Sequence, residues 1–232
     1  MSLFDLLFPK RCVQCKKFGS YLCSNCFSYI TFTDSMICTV CNRQAIGGLT
    51  HPVCQTRYTI DGAFPSLVYK GVVKKLVYTF KYPPYLTDLQ TLLVDLFYEG
   101  VIQKEQFYQL LTQESVFVPI PLHKKKLRKR GYNQAYLLAE GLSQRLNFPI
   151  VDCLQRVKET KTQVGLSKEL RAENIKNAFA IKPAFLEHVS SLHQVFLVDD
   201  VATSGATLLE AAKVLKKAGV KVVWGLTLAH GE

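Results

Sequence analysis

At 232 residues, 48% of them apolar, the chain can bury a real core, and its length suits one large domain with a smaller one attached. No stretch approaches the roughly 18 uninterrupted apolar residues of a membrane span, so no membrane insertion is expected. The opening residues 1–8 have no preceding basic region, so no signal peptide is expected and the expected location is the cytoplasm. The net charge of +11 favours polyanionic partners (nucleic acid, nucleotides or phosphates), although many soluble basic proteins bind none of these.

Seven of the eight cysteines precede residue 55. In a reducing compartment such crowding argues for metal rather than disulfides. Cys12-x-x-Cys15 and Cys23-x-x-Cys26 form two knuckles, enough thiolates for one tetrahedral zinc. Cys38-x-x-Cys41 begins a second unit on the same plan, and the fourth knuckle reads His51-Pro52-Val53-Cys54, with histidine in place of its first cysteine. This alignment explains the odd cysteine count and predicts a Cys3His second site; a surface or capping role for His51, and interleaved pairing of the knuckles, stay open. Such a segment is held together largely by its one or two zinc ions.

Composition shifts after Cys54, and a polar stretch at 59–62 marks a boundary between a zinc-binding domain over 1–60 and a second domain over 61–232. A strand is predicted at 63–69. Apolar pairs alternate with lysines at helical spacing over 72–81 and stop before Pro83 and Pro84, which forbid continuation. A second helix is predicted over 86–98. Residues 116–120 read as a buried strand that runs into Pro121, Leu122 and His123. Six of the eight residues from His123 to Arg130 are then lysine or arginine. That run reads as a long cationic loop at a strand's carboxyl end, suited to pyrophosphate, to a phosphate backbone, or only to water. A helix follows from Gly131 through Leu138, Leu142 and Leu146, ending at Asn147 and Pro149. The polar stretch from Thr160 to Phe179 has no sustained period and reads as a long loop or hood. Lys158 just before it, and Lys161, Lys168 and Arg171 within it, are candidates for a pyrophosphate, against the ordinary fate of a solvated surface cation.

The four apolar residues at 195–198 suit a strand covered on both faces in a parallel sheet. Asp199 and Asp200 sit at its carboxyl end. Apolar residues from Leu208 to Leu215 recur at helical spacing, and Gly219 closes the helix. Thr203, Ser204, Gly205 and Thr207 therefore lie over a helix N-terminus, where free N–H groups favour an anion and glycine admits close approach. Carboxylates just before such a site repel phosphate unless they face sugar hydroxyls or a cation, so a sugar phosphate suits both halves. The plain alternative is a buried strand with a capped helix. A receiver domain, which also pairs aspartates, places them near the chain's start ahead of a βα series that is missing here. A last strand is predicted at 220–229, and the alternation of strand and helix predicts an α/β fold with a mostly parallel sheet.

The stretch from Asp199 to Thr207 resembles the phosphoribosyl pyrophosphate (PRPP) signature of type I phosphoribosyltransferases. The resemblance implies that Asp199 and Asp200 hold the ribose diol, in a catalytic position, while Ala202, Thr203, Ser204, Gly205, Ala206 and Thr207 wrap the 5-phosphate. It also implies a mobile loop and hood that close over the substrate. Val118-Pro119-Ile120-Pro121-Leu122-His123, then Arg128-x-Arg130-Gly131-Tyr132-Asn133-Gln134, behind paired cysteine knuckles, are similar to the competence protein F (ComF/ComFC) family over essentially the whole chain. That family joins an N-terminal double zinc ribbon to a phosphoribosyltransferase-like domain, which implies a type I phosphoribosyltransferase sheet over 61–232.

Two functions follow from the resemblance. In one, magnesium and PRPP bind the acid loop, Arg128 and Arg130 steady the pyrophosphate, and a nitrogenous base attacks the anomeric carbon, with electrostatic positioning as the main catalytic device. In the other, the chain is a competence protein for uptake of transforming single-stranded DNA, alongside the ComFA helicase-like ATPase and the recombination loader DprA. The basic segment and ribbon then contact the strand's phosphates. The acceptor base and the oligomeric state are not legible.

Overall fold

A computed structural model describes residues 9–34, 36–83, 86–160 and 167–231. The strands are β1 (Gly62–Val68), β2 (Ser115–Pro119), β3 (Leu154–Arg156), β4 (Phe179–Ile181), β5 (Gln194–Ala202) and β6 (Val222–His230). The helices beyond the cysteine-rich segment are α1 (Gly71–Lys81), α2 (Leu89–Ile102), α3 (Glu105–Leu110), α4 (Lys124–Arg130), α5 (Gln134–Leu146), α6 (Lys168–Ile175) and α7 (Ala206–Lys217).

Four strands make one parallel sheet in the order β1-β6-β5-β2, and β3 and β4 make a separate antiparallel hairpin. Because β5 and β6 are central and covered on both faces, their side chains are apolar in runs rather than in alternation. Phe64, Phe80, Phe97, Leu138 and Phe196 fill the face under α1, α2 and α5. Val195, Leu197, Leu208, Leu215 and Val223 fill the face under α7. Each fully buried side chain of this size contributes roughly 1.5–3 kcal/mol of transfer free energy.

The strand at 116–120 and the strand at 195–198 lie side by side, with Pro119 opposite Val198. Their outgoing connections therefore open on one carboxyl edge, where open α/β sheets hold their ligands.

Several elements differ from expectation. The cationic run at 124–130 is α4 and not a loop. Lysine, arginine and leucine are good helix formers, the His123 side chain accepts from the Lys125 N–H, and Gly131 at φ 86° takes the left-handed stop. The hood expected as loop joins β3 to β4 and contains the helix α6, whose Ser167 Oγ accepts from the Leu170 N–H at 3.3 Å. The second helix runs to Ile102 rather than Tyr98. Gly100 permits this close approach: a methyl there would lie 2.5 Å from Ser66 Cβ. Helix α3 was not expected; its Phe107 is fully buried, 5.7 Å from the Phe64 ring and 5.6 Å from Phe196.

The cysteine-rich segment lies along β1. Thr33 N–H donates to the Ser66 carbonyl and Val68 N–H to that of Thr31, both at 2.9 Å, so residues 31–33 cover the sheet's outer edge. Just before β1, Asp61 accepts from the Val223 N–H at 2.7 Å and pairs with the Lys216 ammonium at 2.7 Å. No helix among the described residues is long and apolar enough to cross a membrane.

Candidate functional site

The carboxyl end of β5 carries the acid pair. Both side chains are buried, and the Asp200 N–H donates to Asp199 Oδ1 at 2.8 Å. Because strand residues alternate faces, the two acids point to opposite sides of the sheet edge. Asp200 meets α1, where the Lys81 ammonium lies 2.8 Å from its Oδ1. Burial works against that ammonium's charge, but Asp200 outweighs it and holds Lys81 above the usual lysine range. Asp199, buried and beside the Asp200 carboxylate, is pushed up to about 7, with Lys81 and Arg156 pulling the other way.

Residues 203–205 turn from β5 into α7, with Gly205 at φ 71° immediately before the helix. The backbone N–H groups of Ala206 and Thr207 stand in the first turn of α7, where an anion is favoured. Among the described residues, Asp200 Oδ2 and Ser204 Oγ are buried without a hydrogen-bond partner. An orphaned buried acceptor at the end of β5 and an orphaned hydroxyl in the turn that follows it are the state expected of a site built for a ligand that supplies both partners.

The cations around this edge differ in part from the residues singled out by motif. Arg130 donates to Gln134 and stands over the Tyr82 ring, and Arg128 is exposed. Arg156 of the hairpin faces Asp199; burial lowers its pKa against the pull of that carboxylate. Its guanidinium donates to Thr160 Oγ1, and the Lys126 ammonium reaches the Thr160 carbonyl at 3.2 Å. Burial lowers Lys126 too, helped by Arg156 and Arg130. Lys158 is exposed near the Lys176 carbonyl, and Arg171 is half-buried on α6. Lys161 and the side chain of Lys168 lie outside the described residues. The motif Tyr132-Asn133-Gln134 has structural work: Asn133 accepts from the Ala135 N–H and donates to the Ile120 carbonyl, both at 3.1 Å, and Tyr132 donates to the Phe80 carbonyl.

The cysteine knuckles form two clusters, Cys12, Cys15, Cys23 and Cys26 in one, Cys38, Cys41, His51 and Cys54 in the other, with all ligand atoms of each within 4.8 Å of one another. Pairing is thus sequential, not interleaved. Zinc with sulfurs about 2.3 Å away sets neighbouring ligands of a tetrahedron about 3.8 Å apart. The Cys15 and Cys23 sulfurs are 3.6 Å apart, and Cys41 Sγ lies 3.3 Å from His51 Nδ1. His51 Nε2 lies 2.8 Å from the Gln44 carbonyl, which accepts its N–H and leaves the Nδ1 lone pair facing the sulfurs. The Arg43 side chain hydrogen-bonded to Cys41 holds that thiol down at about 6. The donor sets fit structural zinc.

Residues 133–230 match the phosphoribosyl transferase domain family, and residues 3–56 match the double zinc ribbon domain family. DNA utilization protein YhgH of Escherichia coli is 30% identical over 207 residues, 87% of this chain and 87% of that protein. The chain belongs to the ComF/ComFC family. Competence protein F of Haemophilus influenzae is 42% identical over 140 residues, 59% of this chain and 60% of that protein's length. Competence protein ComFC of Bacillus subtilis is 38% identical over 104 residues, 45% of this chain and 39% of that one. In this ComF/ComFC member the family's two parts are a pair of cysteine clusters and a parallel α/β sheet.

Lys81 and Arg156 were missed as candidates by sequence reasoning, whereas Lys126 lies in the cationic run already read as suited to phosphates. Lys81 ends an amphipathic helix and reads there as an ordinary last-turn lysine. Only its distance from Asp200, far along the chain, reveals it.

Proposed function

We propose that this protein serves competence and DNA utilisation, the roles named for its relatives, as a cytoplasmic protein that handles transforming single-stranded DNA while holding magnesium-bound PRPP. The division of labour follows the chain, with a zinc-binding domain over 1–60 and the ligand domain over 61–232. The observation that carries the ligand half is the buried acid pair set directly before an N–H-rich turn, with Asp200 Oδ2 and Ser204 Oγ lacking partners among the described residues. In this reading Asp199 and Asp200 accept from the ribose diol, directly or through the magnesium that PRPP brings. Ala202, Thr203, Ser204, Gly205, Ala206 and Thr207 enclose the 5-phosphate, and Arg128 and Arg130, with Lys126 and Arg156, attract the pyrophosphate.

The DNA half is supported by the first zinc unit. Phe18 and Tyr29 are exposed, Arg11 stacks 4.3 Å from the Phe18 ring centroid, and residues 9–33 contain Lys10, Lys16 and Lys17 but no acid. Exposed rings between cations suit unpaired bases and their phosphates. ComFA and DprA are the expected partners in this role.

Calorimetry with magnesium and PRPP is expected to show binding that Asp200→Asn abolishes; absence of heat in the unmodified protein removes the ligand half. Single-stranded DNA affinity should fall with salt, with a slope of about −0.7 per phosphate contact. A flat salt dependence removes the DNA half. Transferase turnover is the second reading, favoured by the position of Asp199 near neutrality, where a carboxyl can exchange a proton. Release of pyrophosphate from PRPP in the presence of a nitrogenous base is its test.

A further inference from the structure

We propose that the second zinc unit forms a wall of the sugar-phosphate loop, so that zinc at Cys38, Cys41, His51 and Cys54 and an anion at 203–207 stabilise each other's binding. The inference rests on reading that loop as a sugar-phosphate site, and adds a regulator to it.

The contact is between Thr39 and Gly205. Thr39 is the residue after Cys38 in the Cys38-x-x-Cys41 knuckle, and its side chain is buried. A methyl group on Gly205 would lie 2.3 Å from Thr39 Cγ2 and 3.1 Å from the Thr39 carbonyl oxygen. Glycine is thus required at 205 twice over, by its φ of +71° and by the zinc knuckle resting on it. A shallow groove runs along this seam, with Thr39 and Asn42 on the ribbon side, Thr203 and Gly205 on the loop side, and Thr227 and His230 between.

The knuckle is a tight turn closed by the metal ligands. The Cys38 N–H donates to the Arg43 carbonyl at 2.9 Å, the Asn42 N–H donates to that of Cys38 at 2.8 Å, and Asn42 itself sits at φ 60°. Without metal, the clustered thiols lose the bond that holds this turn, since zinc binding energy in such units is folding energy. Thr39 then no longer fixes the backbone at Gly205, and the loop must be ordered by the ligand alone. An anion bound in the loop favours the ordered loop and the wall against which it packs. By linkage, ligand and metal must strengthen each other by the same factor. Among the described residues the first unit has no part in this seam: its Tyr21 hydroxyl donates to Asp88, before α2, and its Val13 joins the core under α1 and α2. It is an internal control.

The test uses the full-length zinc-loaded protein. A chelator strips zinc in the presence of a thiol-alkylating reagent, and labelling is read peptide by peptide, with magnesium alone and with magnesium plus PRPP. PRPP is expected to slow labelling of Cys38, Cys41 and Cys54 by roughly fivefold or more, and to leave Cys12, Cys15, Cys23 and Cys26 unchanged. Thr39→Gly keeps every metal ligand and should still carry two zinc ions per chain, but should lose the protection. If calorimetry shows PRPP bound while all seven cysteines label at unchanged rates, or if Thr39→Gly keeps full protection, the coupling is wrong and the sugar-phosphate site stands. If calorimetry shows no binding, the sugar-phosphate reading fails and takes the coupling with it.

Discussion

Lys81 is the counter-charge on which the acid pair depends. Replacing it with methionine leaves Asp200 buried without a cation, and breaking a buried pair in this way costs roughly 3 kcal/mol; a thermal midpoint unchanged in Lys81→Met would show that the pair contributes nothing. The pH dependence follows from Asp199, whose carboxyl rises from 3.8 to about 7 on folding, through burial and then the Asp200 charge. Between those values the folded chain holds a proton that the unfolded chain has released. Its contribution to stability is therefore present at low pH and lost as pH rises through 7. For the proposed ligand the slope is opposite, because a protonated carboxyl is a poorer acceptor for a diol or a cation. Affinity for magnesium and PRPP should rise from about pH 6 to about pH 8. Asp199→Asn should abolish that rise and flatten the stability profile, both readable by calorimetry. The acids were legible because chemistry and position coincide: two carboxylates at the end of an apolar run. Lys81 and Arg156 were not, because burial and a partner distant in sequence, not local pattern, distinguish them from surface cations.

At the scale of elements, periodicity found the buried strands and the amphipathic helices α1, α5 and α7, since one continuous apolar face sets each of them. It failed where the face is short or polar. Helix α4 presents no fully buried residue, so only its cap and its glycine stop mark it as a helix, and a charge run conceals both. Helix α3 contributes a single buried side chain, Phe107, too little for a period to register. The boundary between β2 and α5 depends on Asn133, which caps the helix and ties it to the Ile120 carbonyl. Asn133→Ala removes both bonds and should cost about 1–2 kcal/mol, lowering the urea midpoint. Because α5 follows directly from the cationic helix, the same variant should loosen α4 and raise amide hydrogen exchange there before anywhere else.

For the whole molecule, the ribbon is a brace as well as a metal module. Residues 31–33 pair along β1, and Thr50 N–H donates to the Asp61 carbonyl at 2.8 Å. Chelating both zinc ions should lower the thermal midpoint and raise light scattering as the outer edge of β1 becomes free to pair with other chains. An unchanged midpoint would mean that the sheet stands without the ribbon. The other side of β1 has a different fate, set by its neighbour. Gly62 lies opposite Trp224, and Val68 opposite His230, so the first strand of the sheet pairs with the last. On the ribosome, β1 emerges early and waits for almost the entire domain to be synthesised before its inner hydrogen bonds can form. During that interval the zinc ribbon, complete before β1 appears, can already cover one edge. Metal loading during translation then acts as a folding aid for a strand whose permanent partner has not yet been made.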